Sequence, residues 1–268
     1  MLGKLLKHEF RATARIMWVL YAAMLALSLG AHFSLRYMQG GETYLALRVL
    51  ATLVAVFWVL ALIFGAVMTL VLMIQRFHKN LLTDEGYLMF TLPVSLHALI
   101  FSKIIVSVVW SFITGVVVIL GVLVAMFDIQ FIEILRQIVL YYNGEALKLT
   151  LQGAGMLSEV LLLALIGGAT SMLQFYGAMS LGYGFTGHKA LWSVVWYFII
   201  GFVIQMITMG LMLGLGNSIL TGIVNEINLG VTATWHLTIL GAAAIDLVIG
   251  AVLYIVTWLN LKNRLNLA

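Results

Sequence analysis

The chain has 268 residues, of which 63% are hydrophobic and only 9% are charged, whereas soluble domains average about 45–50% apolar and about 25% charged residues. Its mean hydropathy of +1.13 leaves too little polar surface to cover a water-soluble globule, which predicts an integral membrane protein and excludes disordered chains and soluble enzymes. Without cysteine it forms no disulfide or cysteine metal site, and its net charge of +4 bears on topology rather than on nucleic-acid binding.

The N-terminal segment 1–15 is predicted to form an amphipathic elbow helix on the membrane surface. Its basic residues recur at helical spacing while leucines and Phe10 face the other way. A charge cluster that only directs topology is the alternative interpretation. For the first span, which follows this segment, a secretory signal is the alternative, and the five further spans disfavour it. The basic residues are Lys4, Lys7, Arg11 and Arg15.

Six continuously apolar stretches are long enough to cross a membrane, because a spanning helix needs about 20 apolar residues for about 30 Å of hydrocarbon. Backbone groups in lipid must bond within their own segment, which makes these stretches helical. The predicted fold is all-α, with a single transmembrane domain over residues 1–268 and no soluble domain. The predicted spans are about 16–35, 49–75, 99–126, 156–182, 191–215 and 239–259.

The basic residues divide unequally between the two sides of this six-span topology. Ten lie on the side of the termini, whereas the opposite side has four together with six acids. By the positive-inside rule both termini are cytoplasmic in a multi-pass protein of the cell membrane. The ten are Lys4, Lys7, Arg11, Arg15, Arg76, Lys79, Lys103, Lys189, Lys262 and Arg264.

Two outer segments are longer than simple turns. Residues 127–155 interleave isoleucines with charged residues at a spacing that indicates an interfacial or outward-projecting helix. Residues 216–238 are apolar but interrupted by Gly216, Gly222 and Gly230, which favours a shallow re-entrant hairpin before the last span.

Small residues at helical spacing predict close helix packing, either within one subunit or at a dimer seam. Three spans contain such stripes: Ala22, Ala26 and Gly30; Gly167 and Ser171; Gly210 and Gly214.

Some segments of the sequence match part or all of a catalytic or nucleotide-binding motif, but none has both the residues and the structural context that the motif requires. Gly182-x-Gly184-x-x-Gly187 spells a dinucleotide fingerprint, but a membrane span precedes it where a strand is required, so a tight turn between spans is predicted. His8-Glu9 begins a zinc-protease motif that fails at Ala12. His32 and His236 lack a convergent carboxylate. The chain is therefore not expected to be an enzyme or to bind a metal.

Asp246 is the one acid well inside a span, where a charge costs about 2.5–3.5 kcal/mol. It is either a substrate or proton site, or a hydrogen-bonded residue that locks helices together, and the second interpretation is favoured. Gln174, Gln205 and Thr208 are the candidate polar neighbours.

The segment Gln75–Lys103 reads QRFHKNLLTDEGYLMFTLPVSLHALIFSK and holds the only proline in the chain. Large apolar residues are predicted to face the cytoplasm between acidic shoulders, a pattern typical of a docking element. A loop that rests on lipid headgroups is the alternative. Pro93 biases the chain toward extended backbone, and Gly86 suits a turn or a helix end. The residues are Leu81, Leu82, Asp84, Glu85, Gly86, Tyr87, Leu88, Phe90 and Pro93.

The string from Phe77 to Val94 resembles the first cytoplasmic loop of bacterial six-span permeases of ATP-binding-cassette exporters, the type-2 class. Leu5-Leu6-Lys7-His8-Glu9-Phe10 resembles their elbow helix. The resemblance implies that two permease copies, identical or related, pair with two cytoplasmic ATPase subunits, which bind ATP and magnesium. It also assigns the coupling helix to about 81–93.

The expected function is therefore export of a hydrophobic or amphipathic substrate, such as a small peptide or toxin, with a separate ATPase. An ion-coupled secondary transporter working through Asp246 is the first alternative. A non-transporting membrane anchor or sensor is the second.

Overall fold

The computed structural model contains six long helices within the residues it describes. Those residues are 2–40, 44–83, 86, 91, 94–127, 132–133, 136–137, 146–185, 187–214 and 231–263. The helices are α1 (Leu2–Gln39), α2 (Leu45–Leu81), α3 (Leu96–Met126), α4 (Ala146–Gly182), α5 (Lys189–Gly214) and α6 (Val231–Asn263).

All six helices are long and apolar enough to span a membrane, which confirms the predicted all-α, multi-pass fold. At about 1.5 Å per residue, the 38 residues of α1 extend over roughly 57 Å. A hydrocarbon core is about 30 Å thick. The longer helices therefore continue well beyond the apolar layer.

The predicted elbow helix is not a separate element, because α1 runs without a break from Leu2 to Gln39. Between Gly3 and Gly30 the sequence has no glycine or proline that would end a helix. The residues at four-residue spacing on either side of position 15 are all buried, so one packing face continues through it. These residues are Glu9, Thr13, Met17 and Tyr21.

The fourth and sixth helices begin well before their predicted first residues, by two turns or more. The fourth starts at Ala146 rather than near residue 156, and the sixth starts at Val231 rather than near residue 239. Each start follows a glycine, Gly144 or Gly230, by one or two residues. The last part of the predicted re-entrant hairpin therefore belongs to α6, whereas 216–230 lies outside the described residues. Of the predicted outer helix, residues 132–133 and 136–137 are helical.

The helices divide into two compact units, and one of them comprises residues 3–73 and 109–152. Buried hydroxyls link its three helices. The Tyr21 hydroxyl lies 2.8 Å from Thr114 Oγ1, which lies 3.0 Å from Thr69 Oγ1. Trp110 Nε1 donates to Thr13 Oγ1 over 2.8 Å. This unit is therefore held by polar contacts as well as by apolar packing.

The packing face of α1 is not the predicted stripe of small residues, because Ala22, Ala26 and Gly30 are all exposed. Tyr21 and Ser28 are buried instead. The prediction that this stripe packs within one subunit is therefore wrong for α1, because hydroxyl and aromatic contacts, rather than small side chains, bring these helices together; its alternative role at a dimer seam stays a prediction.

The second unit comprises residues 1–2, 74–108 and 153–268. Its centre is the ring of Phe77, which stacks on Tyr176 with centroids 4.0 Å apart and planes 6° from parallel. The Tyr176 hydroxyl donates to Ser107 Oγ over 3.1 Å. Both rings are fully buried. The ends of α2 and α4 and the start of α3 are thereby fixed to one another.

Candidate functional site

A cavity of about 350 Å³ lies in the second unit, where α2 and α4 end and α5 begins. Its volume falls within the roughly 300–1,000 Å³ of small-molecule sites, which are mostly apolar with a few polar groups. Most of its wall is aliphatic or aromatic. The lining residues are Ile74, Gln75, His78, Phe175, Ala178, Met179, Tyr183, Ala190, Ser193, Val194 and Tyr197.

The short turn between α4 and α5 shapes this cavity. Gly182 contacts the start of α5 so closely that a Cβ atom there would lie 2.2 Å from Ser193 Oγ and 2.4 Å from the Ser193 backbone nitrogen. His188 reverses the chain with a left-handed φ of 44°. The prediction of a tight turn between these two spans is confirmed.

Two polar side chains meet at the cavity wall. The Tyr183 hydroxyl and His78 Nε2 form a hydrogen bond, and their rings meet edge to face. Burial raises the pKa of the Tyr183 phenol, so this group stays protonated at neutral pH and can donate the bond. Lys189 Nζ lies 5.9 Å from the Tyr183 ring centroid. The cavity therefore combines an apolar wall with a polar rim.

The start of α3 and the end of α6 carry a second cluster of aromatic and basic side chains. His97 stacks on Trp258 with centroids 5.1 Å apart, and its Nδ1 lies 2.5 Å from the Tyr254 hydroxyl. Lys262 Nζ lies 4.9 Å from the Trp258 centroid. Aromatic residues with basic neighbours are typical of the membrane–water interface.

The predicted coupling segment is described only in part. Leu81 and Leu82 are 0% and 3% exposed, so the prediction that they face the cytoplasm uncovered is wrong. Gly86 N donates to Thr83 O over 2.7 Å, and Gly86 is itself helical. The side chain of Ser95 caps α3 by accepting a bond from Ala98 N. The other predicted residues lie outside the described part: Asp84, Glu85, Tyr87, Leu88, Phe90 and Pro93.

Asp246 packs against α4, away from the polar neighbours suggested for it. A Cβ atom on Gly167 would lie 3.3 Å from its Oδ2, and its backbone carbonyl accepts a bond from Thr170 Oγ1 over 3.0 Å. Gln174 donates instead to Tyr197 O over 3.4 Å, and Gln205 is exposed on α5. Asp246 thus links two helices through its backbone carbonyl, whereas the sequence predicted that its side-chain carboxyl would form the linking hydrogen bond.

This geometry predicts that Thr170→Val destabilises the protein more than Asp246→Asn. The valine removes the hydroxyl donor, and such a bond in a membrane protein contributes about 0.6–2 kcal/mol. The asparagine keeps the carbonyl acceptor and should retain more than about half of the transport activity. Thermal unfolding and a transport assay measure both variants. Complete loss of transport in a stably folded Asp246→Asn variant would instead support a proton site.

The expectation that His236 lacks a convergent carboxylate is wrong, because a glutamate of α4 meets it at the other end of this unit. His236 Nδ1 of α6 lies 2.6 Å from Glu159 Oε1 of α4, while Glu159 Oε2 is buried without a hydrogen bond. The sequence separates these residues by 77 positions, so no local spacing indicates the contact. Within the described residues, no group of three or more metal-ligating acidic or histidine side chains is present.

Comparison with known proteins gives no match: no family model, no curated protein and no solved structure is significantly similar to this chain. Its assignment as a multi-pass membrane protein therefore rests on its own six apolar helices.

Proposed function

We propose that this chain is the permease subunit of an ATP-driven exporter. The observation that carries the proposal is the connection between α2 and α3 in a six-span all-helical protein. That connection contains the Asp-Glu-Gly-Tyr-Leu…Leu-Pro-Val string of the type-2 permeases. The chain supplies the membrane path, and the separate ATPase subunits hold ATP and magnesium.

The coupling mechanism follows from how the connection is anchored. Phe77 and Leu81, at the end of α2, are fully buried, and Phe77 stacks on α4. A force applied by a closing ATPase pair between α2 and α3 is therefore transmitted into packed helices rather than lost in a loose loop. Tilting of packed helices by such a force is an ordinary route for opening a transport path.

A second permease copy is the partner proposed within the membrane. The most apolar stretch of α5 has no buried residue, and Phe198 and Phe202 are 68% and 67% exposed. No atom of the described residues lies within 4 Å of a Cβ built on Gly210, so this part of the small-residue stripe does not pack against the described part of the chain. An aromatic and methionine-rich face of this kind suits a dimer cavity for an amphipathic cargo such as a peptide.

Orientation in the cell membrane is predicted from the ten basic residues on the side of the termini. Single cysteines at Thr83, Asn143, Lys189 and Asn225 can each be labelled selectively, because the chain has no cysteine of its own. An impermeant maleimide should label positions 143 and 225 in intact cells, and positions 83 and 189 only after lysis. Labelling of position 83 in intact cells would show that the orientation is the reverse of the predicted one.

The function is tested by purifying the tagged chain from its native membrane and reconstituting the recovered complex in vesicles. The proposal expects a co-purifying ATPase whose hydrolysis is stimulated by cargo and whose nucleotide drives uptake into inside-out vesicles. Uptake driven by an ion gradient without ATP would favour a secondary transporter. An ATPase that binds but is never stimulated would favour an anchor or sensor.

A further inference from the structure

The cavity at the ends of α2 and α4 lies where the apolar spans give way to basic residues. Part of its wall is formed by apolar residues such as Phe175, Met179 and Val194. These side chains suit a hydrocarbon chain, which needs contact area rather than hydrogen bonds. Two of its polar lining residues, His78 and Tyr183, are hydrogen-bonded to each other.

Two lysines lie one helical turn beyond the lining residues, toward the helix ends. Lys79 follows the lining residue Gln75 by four positions on α2, and Lys189 precedes the lining residue Ser193 by four positions on α5. Residues four apart share a helix face. Lys189 is also located directly by its ammonium, which lies near the Tyr183 ring. The cavity thus has an apolar interior and a cationic rim.

Carboxylates are far from this rim in the described part of the second unit. The acidic residues there are Glu159 and Asp246. Glu159 lies on α4, 24 positions before Tyr183, which directly follows the end of that helix; this separation is about 36 Å along the helix axis. Asp246 contacts α4 near Gly167. Neither of these two carboxylates therefore lies at the cavity.

We propose that this cavity binds one acyl chain of an anionic phospholipid, whose phosphate lies against Lys189 and Lys79. Basic pockets between membrane helices bind acidic headgroups in this way, and each lysine near a membrane surface contributes about fivefold to the affinity. The bound lipid would fill the space between α2, α4 and α5. The inference does not depend on the proposed transport function.

The first test titrates the purified full chain, delipidated in a neutral detergent, with phosphatidylglycerol or phosphatidylcholine of identical acyl chains. Because a ligand that binds the folded state stabilises it, the unfolding midpoint should rise at a mole fraction of phosphatidylglycerol at least about tenfold below that of phosphatidylcholine. Soluble glycerol phosphate should have no effect. Equal responses to the two lipids would overturn the proposal, as would stabilisation by glycerol phosphate alone.

Matched variants separate the apolar and charged parts of the site. Ala190→Trp fills the cavity and should abolish the response to phosphatidylglycerol, whereas Leu191→Trp, at an exposed neighbour outside the lining, should keep it. Lys189→Glu should reduce the preference for the anionic lipid by at least about fivefold. Lys4→Glu makes the same change of charge at an exposed site of the other unit and should not. A full response in Ala190→Trp would contradict the proposal.

A measurement on the unaltered chain covers the case in which Ala190→Trp fails to fold. Phosphatidylglycerol with a diazirine at the end of one acyl chain is activated by light, and the labelled peptides are identified by mass spectrometry. Label should concentrate on cavity residues such as Met179 and Val194, at least about fivefold above the phosphatidylcholine probe. Even labelling of the exposed face of α5 by both probes would overturn the proposal.

Discussion

Tyr87→Ala and Phe90→Ala are each expected to abolish cargo-stimulated ATP hydrolysis or to release the ATPase from the complex. Both are large aromatic residues in the connection between α2 and α3, the proposed coupling segment. Truncating an aromatic anchor at a protein interface typically costs at least about 2 kcal/mol, which is near thirtyfold in affinity. Co-purification of the ATPase and its hydrolysis rate with cargo measure the two effects.

The acidic neighbours of these aromatics should matter less. Asp84 and Glu85 adjoin these aromatics in the sequence, and ion pairs at the rim of an interface contribute only about 0–1 kcal/mol. Lys148→Ala, at the start of α4, serves as the control and should change neither measurement. Wild-type ATPase binding and export in the Tyr87→Ala, Phe90→Ala double variant would show that the coupling assignment is wrong.

Gly182→Ala is expected to lower the unfolding midpoint by roughly 3–10 °C. The added Cβ would lie 2.2 Å from Ser193 Oγ and 2.4 Å from the Ser193 backbone nitrogen. A hydroxyl could rotate away, but the backbone of α5 must move. Overpacking of this kind costs about 1–3 kcal/mol, and about 2–4 °C follows each kcal/mol in a chain of this size. Thermal unfolding in detergent gives the shift.

Gly187→Ala is the matched control for this substitution. It lies in the same turn, but a Cβ atom there meets nothing within 4 Å, and its φ is not positive. Its unfolding midpoint should therefore stay within about 2 °C of the wild type, as is usual for an uncrowded surface position. If both alanine variants unfold at the same temperature, the close approach of α4 and α5 does not contribute to stability.

The turn between α4 and α5 shows what local sequence can predict. Gly182, Gly184 and Gly187 follow a span of apolar residues, so the chain had to reverse there and no strand could precede them. The sequence did not indicate that His78, more than 100 positions earlier, would bond to Tyr183 at this turn. The cavity depends on that long-range contact. For this reason none of its lining residues was predicted as part of a site.

The predicted elbow helix is a helix boundary that the sequence indicated and the structure does not have. The basic spacing from Lys4 to Arg15 is helical as predicted, but charge spacing does not show where a helix bends. A bend needs a residue that breaks the hydrogen-bond ladder or a competing contact. The packing face through Thr13 and Met17 continues into the span, so the helix remains one element.

The number, type and approximate position of the spanning helices were determined by the sequence itself. Hydrocarbon thickness sets the length of each span, and the need to satisfy every backbone group sets its helical form, so both constraints act within one segment. Which helix faces meet was decided only by the tertiary structure. In a chain that is 63% hydrophobic, lipid and protein offer similar apolar surroundings, so periodicity does not mark the buried side. Contacts such as Tyr21 with Thr114 and Phe77 with Tyr176 select it instead, through shape and hydrogen bonding between residues far apart in the chain.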